Sequence, residues 1–225
     1  MLIIFFSYFF EFIYQYRFLL LTGLKNTSII FLTATMISFV FGFIWGCLRE
    51  KNISNSVVAN ISQFFAYIFQ GVPFYLQLLI AYFILGPFFC ITNETIIGIL
   101  ALGFCSAAYT SQIILTAIHS IPEEQLTLAT SIGYSNYQKI RYLIIPQIIP
   151  YVIPLFISEC DQLIKSISIL STIGILEITR SGLNIINTTF KPLPIYIFLV
   201  IIYLSFSMLL RGIATIYKSR LEIKS

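Results

Sequence analysis

NTSIIFLTATMISFVFGFIWGCL, residues 26–48, runs without a single charge. A helix needs about 20 apolar residues to cross roughly 30 Å of hydrocarbon, so Asn26–Leu48 predicts a membrane span. Ala34, Ser38, Gly42 and Gly46 recur within it at four-residue steps. Such a ladder lets a second helix approach closely, and it is read as a packing face. The rest of the chain agrees with a lipid environment. It is 58% hydrophobic and 10% charged, against roughly 25% charged in a soluble domain.

Working outward, residues 52–93 are also uncharged but too long for one span, and Gly71 and Pro73 divide them. A helix before the break, interfacial or buried in the bundle, and a span over residues 74–90 are expected. Residues 95–118 and 192–210 give two more spans. Pro146 to about Leu170 is apolar enough to cross although it holds Glu159, Asp161 and Lys165. The fold class is therefore an all-α membrane protein with about five transmembrane helices. Residues 1–19 lack the basic start and small-residue cleavage site of a signal peptide, and are read as an amphipathic aromatic helix at the membrane surface.

Lysine and arginine placement sets orientation. Residues 49–56, 119–145 and the C-terminal tail share one side and carry Arg49, Lys51, Lys139, Arg141, Arg211, Lys218, Arg220 and Lys224, eight of the thirteen cations. That side is expected to be cytoplasmic, with the N-terminus outside. The net charge of +4 is scattered, so nucleic acid is excluded as a partner. Cys47, Cys90, Cys105 and Cys160 fall in apolar segments without metal spacing, and neither metal nor cofactor is expected.

The loop from Ser120 to Pro146 carries local structure of its own. Ser120 with Glu123 has capping-box spacing, and Pro122 fits a first turn. Gly133 suits the left-handed position that ends a helix. Ser135 with Gln138 starts a second helix, and Pro146 is expected to end it. An elbow of two short helices beside the membrane reads better as a docking knob for a soluble partner than as a plain connector.

SIPEEQLTLATSIG, residues 120–133, followed by IIPQ, residues 144–147, resembles the "IPxGQxEAAxxLG" and "LPQ" loop of ABC importer permeases of the polar-amino-acid type. Five further matches follow in register over about residues 20–210. LTGLKNT at 21–27 resembles "LxGLxxT", QGVP at 70–73 resembles "RGTP", and Ala108, Tyr109 and Gln112 resemble "AYxxE". KSIS at 165–168 resembles "KDTS", and IGILE at 173–177 resembles "IGVxEL".

The resemblance implies a type I importer permease domain over residues 20–212, a coupling loop at about 120–145 and a cytoplasmic tail at 213–225. It also implies a transport subunit with no catalytic residue, set in a bacterial cytoplasmic (inner) membrane. Its partners would be a cytoplasmic ABC ATPase dimer, a second permease in a homo- or heterodimer, an extracytoplasmic solute-binding protein and an amino-acid substrate. No Gly-x4-Gly-Lys-Ser/Thr loop occurs, so ATP must be hydrolysed by another chain. Glu124, Gln125, Thr127, Ala129, Gly133 and Pro146 are the expected coupling residues. Thr127 and Leu128 replace the family's acid and first alanine, and Gln112 replaces the acid of "AYxxE". The shape should survive, while a salt bridge to the ATPase would be lost.

The expected substrate path is Ser158, Glu159, Asp161, Lys165 and Ser168. Ionisable groups at bilayer depth cost about 2.5–3.5 kcal/mol and are read as functional. Asp161 and Lys165, four apart, can pair, whereas Glu159 lies about 200° around the helix with no local partner. Glu159 and Asp161 would then favour a cationic amino acid. His119 is read as an interfacial packing residue, and Glu177 with Arg180 as a surface pair. The rival readings are an ABC permease for methionine or peptides and an ion-coupled transporter, which would show repeated halves with interrupted helices.

Overall fold

The computed structural model describes residues 2–222, with side chains described for residues 9–219. The described residues are helices and connecting turns: α1 (Leu2–Gln15), α2 (Arg17–Leu48), α3 (Ser56–Gly71), α4 (Phe74–Phe88), α5 (Glu94–His119), α6 (Glu123–Ser131), α7 (Asn136–Ile173), α8 (Ile178–Thr189) and α9 (Pro192–Glu222). Four of them, α2, α5, α7 and α9, are long and apolar enough to cross a membrane singly. The pair α3 and α4 meets the same test together, bent by 105°, and makes the fifth crossing.

The bend falls where Gly71 and Pro73 predicted it. Val72 is extended there, and the Gln77 side-chain amide donates to the carbonyls of Phe69 and Val72, both at 2.7 Å. Those carbonyls lose their helical donors at the break, and in lipid they need a substitute.

The small-residue ladder does its predicted work, and its partner is α5. A Cβ added to Gly42 would meet Thr110 and Ala107, and one added to Gly46 would meet Ile114 and Ser111. Because Ser38 pairs with Ser106 four residues earlier, α2 and α5 run parallel, with the α3–α4 pair returning between them. Ser38 Oγ lies 2.9 Å from Ser106 Oγ and 2.8 Å from Thr110 Oγ1, so the contact is hydrogen-bonded as well as close.

Around this pair lie three apolar clusters. The central one includes Ile30, Leu78, Leu102, Ile164 and Leu170. A second, with Ile114, Ile118, Leu126, Ile144 and Ile148, sits at the end that carries the elbow. The third joins Leu20, Ile178, Ile185, Ile195 and Leu199 at the opposite end, where α8 lies against α2 and α9.

Two turn predictions need correcting. Pro146 ends nothing: α7 passes through a wide π-helical segment at Lys139–Ile144 and continues as an α-helix through Ile145–Ser166, with Pro146 in its first turn. Proline has no N–H for the carbonyl four residues earlier, and the wider turn takes up the mismatch. Ser120 caps no helix either. Its hydroxyl donates back to Ala117 O at 2.7 Å, and Pro122 stands at the start of α6. At the C-terminus α9 runs unbroken through residues 213–222. Met1 of the N-terminal segment and residues 223–225 of the tail lie outside the described residues.

Candidate substrate path and coupling elbow

A cavity of about 460 Å³ opens between α5 and α7, lined by Phe74, Ser106, Tyr109, Glu159, Gln162, Lys165, Ser166 and Ser168 among others. Glu159 and Lys165 are the only ionisable groups of opposite sign along its wall. Glu159, expected to lack a local partner, accepts from Ser106 Oγ at 2.7 Å. The donor comes from α5, 53 residues away in sequence, which no spacing on α7 could reveal. Through Ser106 the carboxylate is joined to Ser38, so α7, α5 and α2 share one polar chain across the bundle.

The other predicted path residues separate into two faces. Asp161 and Lys165 pair as expected, at 2.8 Å. Asp161 and Ser158 turn away from the Glu159 cavity toward a groove shared with Arg211 and Ala214 of α9. Arg211 Nη2 lies 3.5 Å from Asp161 Oδ2. Reading residue 211 as a loop cation missed it, since the span continues past that point. Lys165 and Ser168 line the Glu159 cavity.

The elbow forms as α6 followed by the capped start of α7. Leu126 and Ala129 are buried, and Leu126 packs with Ile121, Ile144 and Ile148. Glu124, Gln125, Thr127, Gly133 and Pro146 are exposed. Gly133 takes φ +87°, its N–H donates to Thr130 O, and Tyr134 N–H reaches Ala129 O at 2.9 Å. Ser135 and Gln138 make the predicted reciprocal capping box. Leu128 of α6 and Ile132 just beyond it are 63% and 71% exposed, two large apolar side chains on an otherwise polar outward face.

The α2–α3 connection is tied to this elbow, a feature with no motif to announce it. Lys139 Nζ donates to Asn52 O at 2.9 Å, and Asn136 Nδ2 to Ile53 O at 2.7 Å. His119, far from being a bystander, places Nε2 2.7 Å from Glu50 Oε2. Buried Arg49 donates to Gln63, Ser111 and Gln112, joining α2, α3 and α5. Gln112, standing where the resembled pattern has an acid, thus still supplies an acceptor.

At the opposite end Glu177 is fully buried rather than part of a surface pair. It caps α8, accepting from the Thr179 N–H at 2.8 Å and the Arg180 N–H at 2.6 Å. Burial outweighs these hydrogen bonds and lifts its carboxyl from 4.5 to about 7. A raised acid pKa means the folded chain holds a proton that the unfolded chain releases. Its contribution to stability is therefore complete below about pH 4.5 and is lost as pH rises toward 7. The melting temperature of the purified protein should fall between pH 5 and pH 8, and Glu177→Gln should flatten that slope. An unchanged slope in the variant would assign the dependence elsewhere.

Residues 38–223 match the family described as binding-protein-dependent transport system inner membrane component. The nopaline transport system permease protein of Agrobacterium fabrum is 30% identical over 185 residues, 77% of each chain. The histidine/lysine/arginine/ornithine transport system permease protein of Salmonella typhimurium is 24% identical over 87% of this chain and 85% of its own. Among solved structures, an amino acid ABC transporter with histidines superposes with a TM-score of 0.82 at 25% identity, over 94% of this chain and 98% of that one. The inward-facing MetNI methionine ABC transporter gives 0.72 at 16% identity, a likeness of fold.

Proposed function

We propose, because this chain belongs to the family of binding-protein-dependent transport system inner membrane components, that the Glu159 cavity is the station where its substrate, a cationic amino acid, is held during passage. The chain is a transmembrane permease subunit of an amino-acid ABC transporter and is not itself an enzyme. ATP is hydrolysed by a separate subunit. The observation that carries the substrate reading is the Glu159 carboxylate, which lines a cavity and meets a single hydroxyl donor. A half-buried carboxylate at bilayer depth needs more than one hydroxyl, and an ammonium or guanidinium provides it. The name of the relative that carries histidine, lysine, arginine and ornithine supports the same charge preference.

The rest of the assembly follows from this reading. Five crossings do not enclose a polar path, so a second permease, identical or a sister chain, closes it. The elbow faces the cytoplasm and seats in a cleft of the ATPase dimer through Glu124, Gln125, Thr127 and Gly133, with Ala129 buried beneath them to hold the elbow's shape and Pro146 at the root of the returning span. The N-terminus then lies outside, where a solute-binding protein delivers the amino acid. In this reading residues 1–19 are the interfacial segment, 20–212 the permease domain and 213–225 the cytoplasmic tail.

Competitive uptake into vesicles holding the complete transporter tests the charge preference. Arginine or lysine should compete at least tenfold better than glutamate. Hydrogen bonds to charged groups contribute about 1.5–3 kcal/mol, so Glu159→Gln should reduce that preference by roughly tenfold or more. Preference for glutamate, unaffected by Glu159→Gln, would sink the reading.

A further inference from the structure

We infer that Arg211 of α9 is a positioning residue for the substrate's carboxylate: it stands ready to take over Asp161 from Lys165, so that on loading the Lys165 ammonium is free to receive a carboxylate in the Glu159 cavity. The inference rests on the reading of that cavity as the substrate station and adds the partner for the other end of the molecule. Lys165 is the hinge of the argument, because it lines the Glu159 cavity on one side and both α7–α9 grooves on the other. Arg211 lines the same two grooves.

The contacts are unevenly shared. One carboxylate, Asp161, lies 2.8 Å from Lys165 Nζ and 3.5 Å from Arg211 Nη2, and both contacts are made by the same oxygen, Oδ2. Oδ1 makes no hydrogen bond of normal geometry, although Ser207 of α9 lies close enough to interact with the carboxylate. Glu159, the other carboxylate of this part of α7, lines the same cavity as Lys165 but is not within ion-pair distance of it, so the two cations share Asp161 alone at contact distance. The Lys165 and Arg211 side chains are 43% and 74% exposed while Asp161 is buried, so the cations, and not the anion, are open to a newcomer. That newcomer must be an anion. An amino acid carries one in its carboxylate.

Spacing supports the pairing of the two ends. Glu159 and Lys165 are six residues apart, about 9 Å along a helix axis, and both side chains reach the cavity. An extended amino acid with a terminal cation bridges such an interval. When its carboxylate meets Lys165, Asp161 is released toward Arg211, which sits on the neighbouring span. Loading the path thereby tightens the contact between α7 and α9.

Binding of labelled amino acids to the purified permease–ATPase complex, without the solute receptor, tests this by comparing each ligand with its decarboxylated analogue. The pairs are arginine with agmatine and glutamine with 4-aminobutanamide. The wild type should prefer the carboxylate-bearing member at least tenfold. Lys165→Gln should abolish that preference. Arg211→Gln should lower it fivefold or more, because Asp161 then stays on Lys165, with affinity for the decarboxylated analogue changed less than twofold. Arg211→Lys should retain it, and the double variant Asp161→Asn with Arg211→Gln should restore it by freeing Lys165. A structural role for Arg211 predicts no such rescue. The inference is overturned if Arg211→Gln keeps the wild-type ratio or if the double variant fails to recover it. Tighter binding of glutamine than arginine, indifferent to Glu159→Gln, would overturn the cationic-substrate reading instead, and the carboxylate ratio would still be read from the glutamine pair.

Discussion

Gly42→Leu is expected to leave almost no folded permease in the membrane. A Cβ at this position would lie 2.5 Å from Thr110 Cβ and 3.0 Å from Ala107 O. The first contact is with a β-branched side chain of fixed rotamer and the second with backbone, so neither can move aside cheaply. The helices must separate, and separation also pulls Ser38 from Ser106 and Thr110, whose bonds of 2.9 and 2.8 Å form only at this distance. Overpacking commonly costs about 1–3 kcal/mol, and losing the hydrogen bonds of a buried polar group adds about 1–3 kcal/mol more. Against a total stability of about 5–15 kcal/mol, that sum threatens the fold. Gly212→Ala is the control, since a Cβ there meets nothing within 4 Å. Size-exclusion profiles and thermal melts of the detergent-solubilised protein should show aggregation or a large loss of melting temperature for Gly42→Leu alone. A variant melting within a few degrees of wild type would mean that α2 and α5 are not held by this ladder.

The ladder was also the most legible part of the fold, and the reason is physical. Close packing between membrane helices leaves a local signature, because only small residues at one repeat permit it. Breaks are equally local: Gly71 with Pro73, and Gly133 with its positive φ, act through the backbone of their own residues. Span lengths were shorter in the sequence reading than in the structure, since α2 begins at Arg17 and α9 continues to Glu222. Hydropathy locates the lipid-facing part of a helix, and a helix need not stop where the lipid does.

The site was legible by residue type and illegible by partner. Glu159, Asp161 and Lys165 stand out because charge at bilayer depth is costly, and Asp161 with Lys165 paired because both lie on one helix. Ser106 on Glu159, Arg211 on Asp161 and Glu50 on His119 come from other helices, at separations of 53, 50 and 69 residues. No periodicity reports on such contacts. Glu177 misled for a related reason. Its spacing to Arg180 fits a surface ion pair, yet the Arg180 backbone N–H rather than its guanidinium meets the carboxylate. An acid just before a helix is as good a cap as it is an ion-pair partner.

Gly133→Pro is expected to abolish uptake, by at least tenfold, while leaving the membrane bundle folded. Proline cannot reach φ +87°, and it removes the N–H that donates to Thr130 O at 3.0 Å. The turn would open, and with it the bond from Tyr134 N–H to Ala129 O that sets α6 against the start of α7. The damage is confined to the elbow, because Gly133 is exposed and a Cβ there meets nothing within 4 Å. Gly133→Ala separates conformation from contact. It keeps the N–H and pays only the left-handed strain of about 1–2 kcal/mol, so uptake should fall severalfold rather than vanish. The measurement is double: ATP-driven uptake in vesicles, and retention of the ATPase on the tagged permease. If Gly133→Pro retains both, the elbow is a connector and the ATPase grips elsewhere. If it loses uptake but keeps the ATPase, docking rests on the exposed side chains of α6, Leu128 among them, and the turn at Gly133 transmits motion. Thr127, standing where the resembled pattern has an acid, makes this second outcome the informative one, because a contact without that salt bridge leans on side chains such as exposed Leu128, which a change in the turn leaves largely in place.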